Sequence, residues 1–148
     1  FIFHKDTDGN DTLWGDIIGT NSSPTFVFHL NEYDGTYNVL RSSEFLRIVV
    51  DVKNNSNIKY EISHEATPLE HEGRQIPSGN FIVNSYVESG IGQGINPDSV
   101  KISQILYESD SNGTGVPVHI LYVVKDLGLD VPAGTYTGSL KITLNQIQ

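Results

Sequence analysis

Oxygen-bearing side chains at alternating positions mark two stretches where a hard cation could sit. The first holds Asp6, Asp8, Asn10 and Asp11, and the second holds Glu108, Asp110 and Asn112 followed by Gly113. Ca²⁺ takes carboxylate and carbonyl oxygens so arranged, but a complete EF-hand loop also ends in a bidentate Glu at its twelfth position. Both stretches lack that Glu, and the first also lacks a Gly at its sixth position. Each therefore also reads as a solvated acidic turn; Ca²⁺ is the ion the oxygens would favour, and no cofactor is required.

Other chemistry finds less footing. His64, Glu65, Glu70, His71 and Glu72 are close in sequence, as zinc ligands can be, yet no HExxH is present and Pro68 blocks the helix that would converge them. A solvated loop is the plainer reading. No Ser stands in a nucleophile elbow, and paired carboxylates of the glycosidase kind leave no local mark. The expectation is a protein that is not an enzyme. Asn10, Asn21, Asn54 and Asn112 each begin an Asn-x-Ser/Thr sequon in a polar stretch where a glycan could be carried. Trp14, Tyr33, Tyr37, Tyr86 and Tyr107 are candidates for a platform that stacks on surface glycans, with core packing as the alternative for most of them.

The elements that must position these residues are strands. The 148 residues suit one domain, 1–148, with a core large enough to stand without staples. Only 18% of the residues are charged and β-branched and aromatic residues come in short bursts, which is all-β composition. A net charge of −9, with nine Lys and Arg in all, argues against nucleic acid and an anionic membrane surface. The absence of Cys excludes disulfides and thiolate metal sites, and no apolar run is long enough to insert in a membrane.

Taken in order, Thr25–Leu30 reads as a strand handed by Asp34-Gly35 to Thr36–Leu40. Phe45–Val52 is the most apolar run, with Leu46, Ile48, Val50 and Val52 inward, and it is expected to form a hairpin with Ile58–His64. Residues 65–75 read as a charged excursion with too few apolar residues for core. Phe81–Val87 is a further strand, Gly90–Gly94 a flexible loop, Val100–Tyr107 a strand in preference to a helical turn, and Val116–Val124 a buried strand. The chain closes on Tyr136 and the alternation of Leu140, Ile142 and Leu144 with Ser139, Lys141 and Thr143. Turn signals at this spacing describe a sandwich of roughly eight to ten antiparallel strands.

That closing phrase, Val131-Pro132-Ala133-Gly134-Thr135-Tyr136-Thr137-Gly138-Ser139-Leu140-Lys141-Ile142-Thr143-Leu144, resembles the ending common in secreted microbial surface subunits, including Ig-like pilins and biofilm-fibre proteins. The resemblance covers about a tenth of the chain. It implies an extracellular Ig-like or jelly-roll-type β-sandwich that polymerises head to tail with copies of itself by β-strand donation. Phe1 stands where a Met would, which suggests a removed leader or a fragment. Phe1, Ile2 and Phe3 are too apolar to be left in water, so residues 1–12 are expected to be a first strand or an N-terminal extension that completes a neighbouring subunit. Leu140, Ile142 and Leu144 are the second candidate interface. The leading expectation is a secreted, structural filament subunit; a cell-surface adhesion or carbohydrate-binding module, with calcium or without, is the rival.

Overall fold

Alternation of apolar and polar residues, the pattern that puts every second side chain on one face of a strand, carries through to the structure. The computed structural model describes residues 2–5, 11–15, 25–30, 32–34, 39–41, 45–52, 57–125 and 132–147. In chain order these form β1 (Ile2–Lys5), β2 (Asp11–Gly15), β3 (Thr25–Leu30), β4 (Glu32–Asp34), β5 (Val39–Arg41), β6 (Phe45–Asp51) and β7 (Tyr60–Ala66). There follow β8 (Glu70–His71), β9 (Arg74–Gln75), β10 (Phe81–Tyr86), β11 (Asp98–Ser99), β12 (Ser103–Glu108), β13 (Pro117–Val124) and β14 (Gly134–Gln146). One 3-10 turn, Ser78–Asn80, is the only helical element among the described residues.

Two antiparallel sheets account for most of these strands. The first runs β11-β10-β13-β6-β1-β2; the second runs β12-β7-β14-β8-β9, with β3 also on β14, while β4 and β5 make a separate hairpin. Leu46, Ile48 and Val50 of β6 and Val118, Ile120 and Tyr122 of β13 belong to the same buried cluster as Tyr60 and Ile62 of β7 and Tyr136, Leu140 and Ile142 of β14. Both sheets thus contribute to one core. Each fully buried aliphatic or aromatic side chain there contributes about 1.5–3 kcal/mol, which is how a chain without Cys holds together.

The expected hairpin of Phe45–Val52 with Ile58–His64 does not form. β6 pairs with β1 and β13, whereas β7 pairs with β12 and β14, so the connection between them crosses from one sheet to the other. A short connection and clean alternation on both sides suggested a hairpin, but alternation fixes which side chains share a face and not which strand pairs with which. The 65–75 excursion is likewise more than a charged loop. Leu69 and Ile76 enter the core on either side of the β8–β9 hairpin within it, linked by Ile76 N–H donating to Leu69 O at 3.1 Å. Glu72 and Gly73, at φ 50° and 79°, make the tight turn of the β8–β9 hairpin between them.

Gly90–Gly94 is not free either. Gln93 and Glu108 exchange backbone hydrogen bonds at 2.8 and 2.9 Å, and Ser85 N–H donates to Ile95 O at 3.1 Å. Ser85 Oγ on β10 also donates to Leu106 O on β12, tying the first sheet to the second. A Cβ on Gly94 would run into the Ser85 carbonyl, and one on Gly92, at φ 78°, into the Tyr107 hydroxyl and Glu108 backbone. The glycines are there for close backbone approach. Gly94→Ala is therefore expected to destabilise the fold by about 1–3 kcal/mol through overpacking, read as a lower urea midpoint with an unchanged denaturant slope.

Candidate functional site

The last strand, β14, changes partners along its length. Its first half pairs with β3, from Gly134 opposite Leu30 to Ser139 opposite Thr25, and its second half pairs with β7, from Leu140 opposite Ala66 to Gln146 opposite Tyr60. These partners lie on opposite sides of it. Thr67 N–H donates to Ser139 O at 3.0 Å and Thr137 pairs with Glu70, so the β7–β8 side is occupied along nearly the whole strand. On the other side the described part of β3 ends at Thr25, opposite Ser139.

Beyond Ser139 that side carries no partner strand among the described residues. Successive residues of a strand direct their main-chain groups to alternate edges. Ala66 N–H bonds to Ile102 O at 2.8 Å, away from β14, so its partner Leu140, and with it Ile142 and Leu144, turns its N–H and C=O toward the edge that has no partner strand among the described residues. The side chains of the same residues point inward: Leu140 and Ile142 are buried and Leu144 packs against the core. An edge of this kind, ordered by its own core and without a main-chain partner among the described residues, is what an added strand recognises.

The Pro132–Tyr136 phrase anchors the start of β14. Tyr136, fully buried, donates its hydroxyl to Pro132 O at 2.7 Å, which folds the chain back on itself just before the strand. This is the geometry of a tyrosine corner. The His71 ring lies 5.3 Å from that of Tyr136 and covers Gly134 so closely that a Cβ there would meet the imidazole. Tyr136→Phe is expected to cost about 1 kcal/mol of stability by removing one hydrogen bond, measurable in urea, with the fold retained.

The other sequence candidates are distributed differently. Ile2 and Phe3 pair with Val50 and Val49 on β6, and β2 flanks β1 on its far side, so this segment lies inside the first sheet of its own chain; Phe1 lies outside the described residues. It does not meet Leu140, Ile142 and Leu144, which are in the second sheet. Asp6, Asp8 and Asn10, and the sequons at Asn21 and Asn54, also lie outside the described residues, while Asp11 pairs with Lys5. Asn112 is exposed on a turn.

In the second acidic loop both Asp110 oxygens are already engaged, with Oδ1 accepting from Thr114 N–H at 2.8 Å and Oδ2 from Thr114 Oγ1 at 2.7 Å. These bonds hold the carboxyl below the usual Asp range. Glu108 faces Lys59 at 3.8 Å. No group of three or more His, Asp or Glu side chains suited to a metal converges among the described residues. Of the aromatic candidates, Tyr107 is buried and no platform, and Tyr86 is exposed. Trp14 lies on β2 and Tyr33 on β4, and Tyr37 is outside the described residues.

His64, read from sequence with a solvated loop, is 1% exposed. Its ring accepts at Nδ1 from the Tyr122 hydroxyl at 2.8 Å and donates from Nε2 to Lys101 O at 2.8 Å, joining β13 of one sheet to β7 of the other. Burial lowers its pKa because the charged imidazolium is disfavoured there. A lowered folded pKa means that His64 stabilises the fold fully above the unfolded value of about 6.5 and progressively less as pH falls below it. Melting temperature is thus expected to decline as pH falls below about 6.5, and His64→Gln should flatten that part of the curve.

Three strands supply a cluster that sequence did not single out, Arg47, Tyr86 and His119, which meet on the outer face of the first sheet. Nothing local in the sequence marks it, because the three residues come together only through strand order. Comparison of the chain with known family models, curated proteins and solved structures finds no match.

Proposed function

We propose that this chain is a structural subunit of an extracellular filament, an Ig-like β-sandwich that joins copies of itself by strand pairing at the open edge of β14. The observation that carries the reading is that the outward main chain at Leu140, Ile142 and Leu144 meets no partner strand among the described residues, on a strand whose side chains are fixed in the core. An isolated monomer with such an edge would be prone to unregulated pairing, so a built-in partner is the economical reading. The resemblance of the Val131–Leu144 phrase to secreted surface subunits supports the same conclusion.

The donor is the N-terminal segment of a neighbouring copy, Phe1–Lys5, reached through the polar Asp6–Asp11 stretch. In the single chain this segment pairs with β6 and β2, and exchange would transfer it to the next subunit. A surface that gives and a different surface that receives make a heterologous contact, and such contacts propagate into filaments. Ile102 and Ile105, 70% and 46% exposed beside and on β12 at the opposite edge of the same sheet, add apolar area suited to subunit packing.

Leu144→Pro removes one outward N–H while leaving the residues that bond to β7 intact. It is expected to yield folded monomers that no longer form filaments under the electron microscope, and deletion of residues 1–5 should do the same. Filaments of normal length from Leu144→Pro would remove the open edge from consideration. Loss in Leu144→Pro but not in the deletion would keep the edge and move the donor to another segment. The rival reading, a glycan-binding surface module, is favoured by the exposed Tyr86 ring, and discrete monomers of the native protein would support it.

A further inference from the structure

On the outer face of the first sheet, Arg47 of β6 donates from Nη2 to the Tyr86 hydroxyl at 2.8 Å and to His119 Nδ1 at 3.0 Å. Tyr86 of β10 and His119 of β13 are directly opposite one another, and their rings stack at 4.8 Å with 7° between planes. Because Nδ1 accepts, the neutral ring carries its proton on Nε2, which faces Glu88 Oε1 at 3.8 Å. Beside these groups is a solvent-open depression of about 270 Å³, walled by Leu121 and Val123 as well as by the cluster.

Two features set this depression apart from ordinary sheet surface. The chain has twice as many acidic as basic residues, 18 against nine, yet Arg47 has no carboxylate within ion-pair distance among the described residues. Its cross-strand neighbour on β1 is Lys5, another cation. The guanidinium is instead aimed by two neutral acceptors on one nitrogen, which leaves the rest of its five N–H groups for something else. The walls next to it are apolar, and the volume is below the range of drug-sized pockets, which suits a ligand of one ring.

We propose that this depression binds a small carboxylate carried on a single ring, with the carboxylate gripped by the Arg47 fork and the ring laid against Leu121 and Val123. A planar guanidinium matches a carboxylate through paired N–H bonds, and an apolar wall accepts either the C–H face of a sugar or an aromatic ring. The source is an acidic sugar such as a uronic acid, or an aromatic acid. The site lies in the sheet that does not contain β14, away from the proposed receiving edge, although Lys5 of the proposed donor segment pairs with Arg47.

The test titrates sodium glucuronate, sodium benzoate and neutral methyl glucoside into the full chain while amide shifts of Leu121 and Val123 are followed by NMR. A saturable response to one or both carboxylates and none to methyl glucoside is expected. Saturation by glucuronate alone assigns the acidic sugar, and by benzoate alone the aromatic acid. Arg47→Gln should weaken binding by about tenfold or more, with unshifted β7 and β14 amides reporting an intact fold. Arg47→Lys keeps the charge and loses the fork, and it should weaken binding severalfold even if the Gln variant fails to fold. No saturation with either carboxylate, equal binding of methyl glucoside, or unchanged affinity in Arg47→Lys would each overturn the proposal.

Discussion

A phenol that is taken out of water must keep a hydrogen bond, and the architecture is arranged around four that do. Tyr60, Tyr107, Tyr122 and Tyr136 are the largest fully buried side chains. Their hydroxyls reach Thr114 O, Ile91 O, His64 Nδ1 and Pro132 O respectively. Leaving such a group unpaired would cost about 1–3 kcal/mol, so each ring buried in the core also fixes a piece of chain at the edge of it. Three of the four fix loops and the fourth fixes the opposite sheet. Burial pushes all four phenols up from their ordinary pKa, which keeps them O–H donors throughout the physiological range.

That constraint explains why segments with loop composition are held close. The Gly90–Gly94 stretch lies against β12 because Tyr107 needs Ile91 O and because Gln93 bridges to Glu108. The Asp110–Thr114 turn is fixed from outside by Tyr60 and from within by Asp110. The start of β14 is set by Tyr136, and the open edge further along it is thereby presented in a fixed place. The strand is secured by its side chains and by β7, so its order does not depend on a partner at the other edge.

The parts legible in the sequence were those written in local alternation. Leu140, Ile142 and Leu144 and the inward set of Phe45–Val52 follow from side chains two apart sharing a face, whereas in Ser103–Glu108 the adjacent Leu106 and Tyr107 are both buried at a shift in register. Partnership was not legible. Nothing near Val52–Lys59 says whether the chain turns back or crosses the core, and Leu69 and Ile76 are isolated apolar residues whose burial depends on the hairpin between them. The role of His64 depends on Tyr122, 58 positions away, and the Arg47 cluster spans β6, β10 and β13. In the candidate site the inward residues were readable, and the partners of β14 were not, because they come from β3, β7 and β8, far away in sequence.

The double pairing of β14 also sets an order of events during folding. β3 and β7 both require it, and the Thr25–Ser139 pair spans most of the sequence. As the chain emerges from N- to C-terminus, the second sheet therefore has no centre among the described strands until β14 is present. Contacts this distant in sequence form slowly, because a long loop must be closed before any pairing rewards it. A chain delayed in this way stays unfolded for longer than one assembled from neighbouring hairpins, and its second sheet waits on β14.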